Sequence, residues 1–152
     1  MGKQDYAYKL YGSFERVYDL ACEHPEAITS PGLIVNLHMG VKDLLVREID
    51  VLEFFRERIN ILRACVIIGD EISGGVVPVD KFEREWRDVT GKLYQYLAEE
   101  AEIVDRIFAG LPLRLKKCYD FVTRGESKKR ESNFQSLRMN FDEHEERLRF
   151  CS

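Results

Sequence analysis

The sequence predicts an all-α protein: a single domain over residues 1–152, built as a four-helix bundle with a long, bent second helix and an interrupted C-terminal helix. Three observations carry that expectation. Apolar residues recur at three- and four-residue steps through most of the 152 residues, the period of one helix face. Only four prolines and ten glycines punctuate the chain, which favours long elements. Strand-like alternation competes only across Gly74 to Val79.

The first helix is expected from Gln4 to Cys22, where Ala7, Leu10, Tyr11, Phe14, Val17, Tyr18 and Ala21 form one stripe. Pro25 blocks its continuation. The second helix opens at Ser30-Pro31, a capping hydroxyl followed by a proline suited to the first turn. Its stripe runs through Ile34, Leu37, Val41, Leu45, Leu52, Phe55, Ile59, Leu62 and Val66, and stops at Ser73-Gly74-Gly75. An unbroken helix of that extent would be roughly 60 Å long. A bend is therefore expected at Gly40 or near Asp50.

The third helix starts at Asp80, with Glu83 three residues on as its capping partner, and carries Phe82, Trp86, Val89, Leu93, Tyr96, Leu97, Val104, Ile107 and Phe108 to Gly110. Leu115, Cys118, Phe121 and Val122 make a shorter segment. Ser132 with Gln135 opens the last helix, through Phe134, Leu137, Phe141 and Leu148. The first helix is about half as long as the second and cannot cover its apolar face alone. The tyrosines Tyr8, Tyr11 and Tyr18 suit an interface, so a homo-oligomer is expected.

Composition narrows the function classes. With 45% hydrophobic and 33% charged residues the chain is neither disordered nor a membrane protein, and no apolar run approaches the ~20 residues that span a bilayer. Nothing near Met1 resembles a signal peptide, so a cytoplasmic protein without a membrane partner is expected. A net charge of −4 argues against a general nucleic-acid binder. Cys22, Cys65, Cys118 and Cys151 are scattered, with no C-x-x-C spacing, and no metal site is expected.

Enzyme chemistry leaves few marks. A di-iron carboxylate bundle needs Glu-x-x-His pairs, but Ala21, Val35 and Phe141 stand three residues before His24, His38 and His144. Glu48 and Glu100 fall within apolar stripes and are a candidate carboxylate pair, weighed against rim positions with their heads in water. His38 reads as a structural histidine, and the acidic run around His144 as a solvated face. The main charge anomaly is basic: Arg114, Lys116, Lys117, Arg124, Lys128, Lys129 and Arg130 could hold phosphate groups, a nucleotide among them. No Gly-x-x-x-x-Gly-Lys-Ser/Thr and no Gly-x-Ser-x-Gly occurs. No catalytic residue and no cofactor is assigned.

Ser30-Pro31 before a long second helix, the turn Ser73-Gly74-Gly75-Val76-Val77-Pro78 and the segment Ser132 to Phe141 give the chain a layout that resembles a group of archaeal proteins with a ferritin-like bundle. Bundles of that group are similar in shape to the ATP-dependent cobalamin adenosyltransferases. The resemblance implies a ferritin-like fold. It carries over no catalytic residue, because the Gly- and Thr-rich ATP loop of those enzymes is missing and Leu137 to Asp142 is only a distant echo of their later motifs. The expected function is self-association or partner binding. The alternatives are a nucleotide- or corrinoid-handling enzyme, with adenosyl transfer as the specific reaction, and a nucleic-acid accessory protein using the basic cluster.

Overall fold

The computed structural model describes residues 2–72, 74, 76 and 78–117, together with the backbone of 149–151. It is mixed α/β and not the all-α four-helix bundle expected from the sequence. Helix α1 (Lys3–Tyr11) leads to strand β1 (Val17–Asp19), and a short helical turn at Pro25–Ala27 precedes β2 (Leu33–Val35). Three helices follow, α2 (Leu37–Val46), α3 (Val51–Glu57) and α4 (Ile59–Leu62), and then β3 (Val66–Ile68). Helix α5 (Lys81–Glu100), the hairpin β4 (Ile103–Phe108) and β5 (Leu111–Lys117), and β6 (Arg149–Cys151) complete the described chain. The sheet order is β1-β2-β3-β6-β4-β5. All pairings are parallel except β4 with β5, an antiparallel edge.

The predicted second helix is thus five elements. Its apolar stripe contains two three-residue runs, Leu33-Ile34-Val35 and Val66-Ile67-Ile68, that are buried throughout. In β2 and β3 the central residues, Ile34 and Ile67, join the larger core with Tyr18, Leu44, Phe55, Leu93 and Leu97. The flanking Leu33, Val35, Val66 and Ile68 pack with Tyr6 and Ala7 of α1. Successive strand side chains point to opposite faces, so α2, α3 and α5 cover one face and α1 the other. A strand buried on both faces reads as a continuous apolar run, which periodicity cannot distinguish from a helix segment.

The first predicted helix ends early for a local reason. Gly12 takes φ 79°, a left-handed conformation that only glycine adopts without strain, and the chain leaves the helix there. The predicted start of the third helix holds: the Asp80 carboxylate accepts from the Glu83 N–H at 2.9 Å. Its predicted end does not, because α5 stops at Glu100 and Val104, Ile107 and Phe108 belong to β4. The turn Ala109-Gly110 has both φ values positive, 49° and 76°, the pattern of a type I′ two-residue hairpin loop. The predicted last helix, Ser132 to Leu148, lies outside the described residues. Among the described residues no helix is long and apolar enough to cross a membrane.

Candidate functional site at the carboxyl ends of the parallel strands

In an open parallel sheet, loops leaving the carboxyl ends of the strands form the crevice where ligands bind. Here those loops begin at Asp19, Asn36 and Gly69. Asn36 follows β2 directly and sits in the left-handed region at φ 57°, a conformation asparagine tolerates better than most residues. Its side-chain N–H donates to Asp19 Oδ1 at 2.7 Å, and the same oxygen accepts from the Ala21 N–H at 3.0 Å. The ends of β1 and β2 are thereby lashed together, and α2 starts in a fixed direction.

That direction brings His38, in the first turn of α2, over the end of β3. His38 Nδ1 accepts from the Asp70 backbone N–H at 3.4 Å, which places the proton of the neutral ring on Nε2. Burial holds the His38 pKa below its ordinary value; the Asp70 carboxylate opposes the shift and the Lys3 ammonium reinforces it. Trp86 of α5 donates its indole N–H to the His38 carbonyl at 2.8 Å. Lys42, one turn further along α2, lies 4.3 Å from the Trp86 ring centroid and pairs with Glu83 at 3.0 Å.

The β3 end is equally constrained. Lys3 Nζ donates to the Gly69 carbonyl at 3.0 Å and pairs with the Asp70 carboxylate. That ammonium holds the Asp70 pKa below the usual range. The Tyr94 hydroxyl donates to the Asp70 carbonyl at 2.9 Å, and burial pushes its own pKa well up. A Cβ on residue 69 would collide with the Tyr94 hydroxyl, so Gly69 is what lets Tyr94 reach the strand end. Glu71 pairs with Arg106 of β4 at 3.2 Å. Lys3, His38, Asp70 and Glu71 thus converge from three separate elements on one edge, each held by a named partner. Among the described residues no group of three or more His, Cys, Asp or Glu could hold a metal ion.

The residues singled out by sequence fall elsewhere. Arg114 lies on β5 and grips the buried Asp105, with Nη2 to Oδ2 at 2.9 Å. Lys116 Nζ donates to the carbonyls of Ala98 and Glu99 at 2.9 and 2.7 Å, and Lys117 is exposed. Arg124, Lys128, Lys129 and Arg130 lie outside the described residues. Of the tyrosines, Tyr8 is exposed, Tyr11 packs against the α1 face of the sheet, and Tyr18 is buried with its hydroxyl 2.8 Å from Ser30 Oγ. Glu48 is exposed at the end of α2, whereas Glu100 pairs with Arg63 at 3.0 Å. The sequence pattern reads His38 only as structural. Lys3, Asp70 and Glu71 were not singled out, although Leu-Ile-Val-Asn and Val-Ile-Ile-Gly-Asp-Glu, a short β-branched run followed by a polar turn, carried the signal.

A family model described as cobinamide kinase / cobinamide phosphate guanyltransferase matches residues 28–115, more than half the chain and the stretch from the β2 entry to β5. The chain belongs to this family. A search of the curated proteins finds no match. The ferritin-like resemblance, and with it the likeness in shape to cobalamin adenosyltransferases, is overturned by the family match and by the parallel sheet. The matched stretch contains His38, Asp70, Glu71, Trp86 and Tyr94. Membership in the cobinamide kinase / guanyltransferase family also favours the nucleotide- or corrinoid-handling reading over self-association.

Proposed function

We propose that the protein binds a nucleoside triphosphate at the carboxyl ends of β2 and β3, in the service of phosphoryl or nucleotidyl transfer to a corrinoid. Both reactions in the family description move a phosphorus-bearing group from a nucleotide onto a corrinoid. One observation carries the reading: neutral His38, Asp70 and Lys3 meet at the edge where parallel sheets bind ligands, and two of the three lie inside the matched region. Lys3 and Lys42 supply ammonium donors for phosphate oxygens, and each would exchange a carboxylate partner for the ligand. With Nδ1 engaged by the Asp70 N–H, the neutral His38 ring presents its Nε2–H as a further donor for a phosphate oxygen.

The sequence contains no Gly-x-x-x-x-Gly-Lys-Ser/Thr loop to cradle the phosphates. That favours a second reading, in which the chain binds the nucleotide without turning it over. One experiment separates the readings. GTP and ATP, each with magnesium and with salt controls, are added at about a hundred times the dissociation constant, which stabilises the folded state by about 2.7 kcal/mol. For a chain of this size that raises Tm by roughly 5–10 °C. The shift should be lost in His38→Ala and in Lys3→Ala. Product formation from cobinamide then distinguishes transfer from binding. No salt-resistant shift with either nucleotide would refute both.

A further inference from the structure

Beside the end of β3, a cavity of about 320 Å³ lies between α5 and the β4–β5 hairpin; Glu71 and Arg87 also line it, the one paired with Arg106 and the other donating to the Val76 carbonyl at 3.0 Å. Its floor is one stripe of α5, where Thr90, Gly91, Tyr94 and Gln95 recur at helical spacing; Val104 and Leu115 form the facing wall. Two features of this stripe have no structural explanation of their own. Thr90 is 1% exposed, yet its hydroxyl finds no hydrogen-bond partner among the described residues. Buried hydroxyls are normally satisfied, because an unpaired one is costly. Gly91 stands in the interior of a 20-residue helix, where glycine is the poorest residue after proline. A Cβ there would meet nothing within 4 Å among the described residues, and its φ is not positive, so neither crowding nor backbone conformation calls for glycine.

We infer that this cavity is a binding site for an uncharged planar heteroaromatic ring. Gly91 leaves the helix surface flat, so a ring face can lie against the backbone. Val104 and Leu115 sandwich it from the other side. The Thr90 hydroxyl and the Gln95 amide, which both donate and accept, meet the polar edge. Size sets the class: 320 Å³ is near the lower end of small-molecule pockets, room for one or two fused rings and too small for a corrin macrocycle. The site adjoins the carboxyl edge and shares Tyr94 and Glu71 with it, but nothing in it requires a phosphate.

The test uses phosphate-free probes, adenine and benzimidazole, with cyclohexanol as a non-planar control. Binding to the full chain is followed by saturation-transfer NMR at millimolar concentration and quantified by titration. Both rings should bind and cyclohexanol should not. Gly91→Leu, which fills the space over the helix, should abolish binding without lowering Tm, since leucine is the better helix former. Thr90→Val, nearly isosteric, should weaken binding about tenfold, the worth of one hydrogen bond. Failure of either ring to bind the wild-type chain overturns the inference, as does wild-type affinity in Gly91→Leu or in Thr90→Val. Because no probe carries a phosphate, such a failure leaves the nucleotide shift assay unaffected.

Discussion

Replacing Arg114 by methionine keeps much of the side-chain volume but removes a guanidinium from the one fully buried carboxylate among the described residues. Asp105 is 0% exposed, and its partners are Arg114, with Nη2 to Oδ2 at 2.9 Å, and the Tyr6 hydroxyl at 2.8 Å. Truncating one member of a buried pair costs about 3–5 kcal/mol, because the other charge stays buried without its counterion. The Arg114 side chain is 37% exposed, so solvent already screens part of the interaction, and the low end applies, about 3 kcal/mol. Asp105→Asn in the same chain removes the stranded charge while leaving an acceptor for Tyr6, so the double variant should recover to within about 1–2 kcal/mol of wild type. Urea unfolding at pH 7 measures both, from the shift in midpoint at constant slope. The trio joins α1, β4 and β5, so the loss should appear in the global transition. A single variant within about 1 kcal/mol of wild type, or a double variant no more stable than the single, would refute the reasoning.

Two further predictions concern the strand ends. Burial lowers the His38 pKa below its ordinary 6.5, so the unfolded chain binds the proton first. The stability this represents is present above that pH and is lost as pH falls through it. His38→Gln should therefore show a smaller drop in urea midpoint between pH 7.5 and 5.5 than wild type, and equal drops would contradict the assignment. Gly69→Ala places a methyl group against the Tyr94 hydroxyl and should cost about 1–3 kcal/mol, part of which Tyr94→Phe restores by removing the colliding oxygen. A thermal melt of the two variants checks the pair, and Gly69→Ala melting with wild type would disprove the contact.

What the sequence determined by itself was local. The start of α5 was legible because an Asp80 carboxylate and the Glu83 amide lie three residues apart, and a helix cap needs nothing further away. The apolar identity of Ile34, Val41, Phe55, Leu62, Leu93 and Leu97 as core was legible too, since burial follows side-chain chemistry whichever element carries it. The choice between helix and strand was not. Leu33-Ile34-Val35 and Val66-Ile67-Ile68 become strands by pairing with each other across some thirty residues, in a register where Leu33 faces Val66. A three-residue run has too few turns to show a helical period and too few alternations to show a strand.

The candidate site follows the same division. His38 and Asp70 are separated by 32 positions, and Lys3 and Asp70 by 67, so no motif search along the chain would place them together. Only parallel pairing sets the ends of β2 and β3 side by side, and only the packing of α1 on the opposite sheet face brings Lys3 to them. The basic residues Arg114 and Lys116 make the converse point. Their charge was visible in the sequence, but the hairpin directs one to the buried Asp105 and the other to the last carbonyls of α5, a choice that depends on partners nine and seventeen or more residues away. Short-range chemistry is written in neighbouring residues; the meeting of distant charges is decided by the pairing and packing of the sheet.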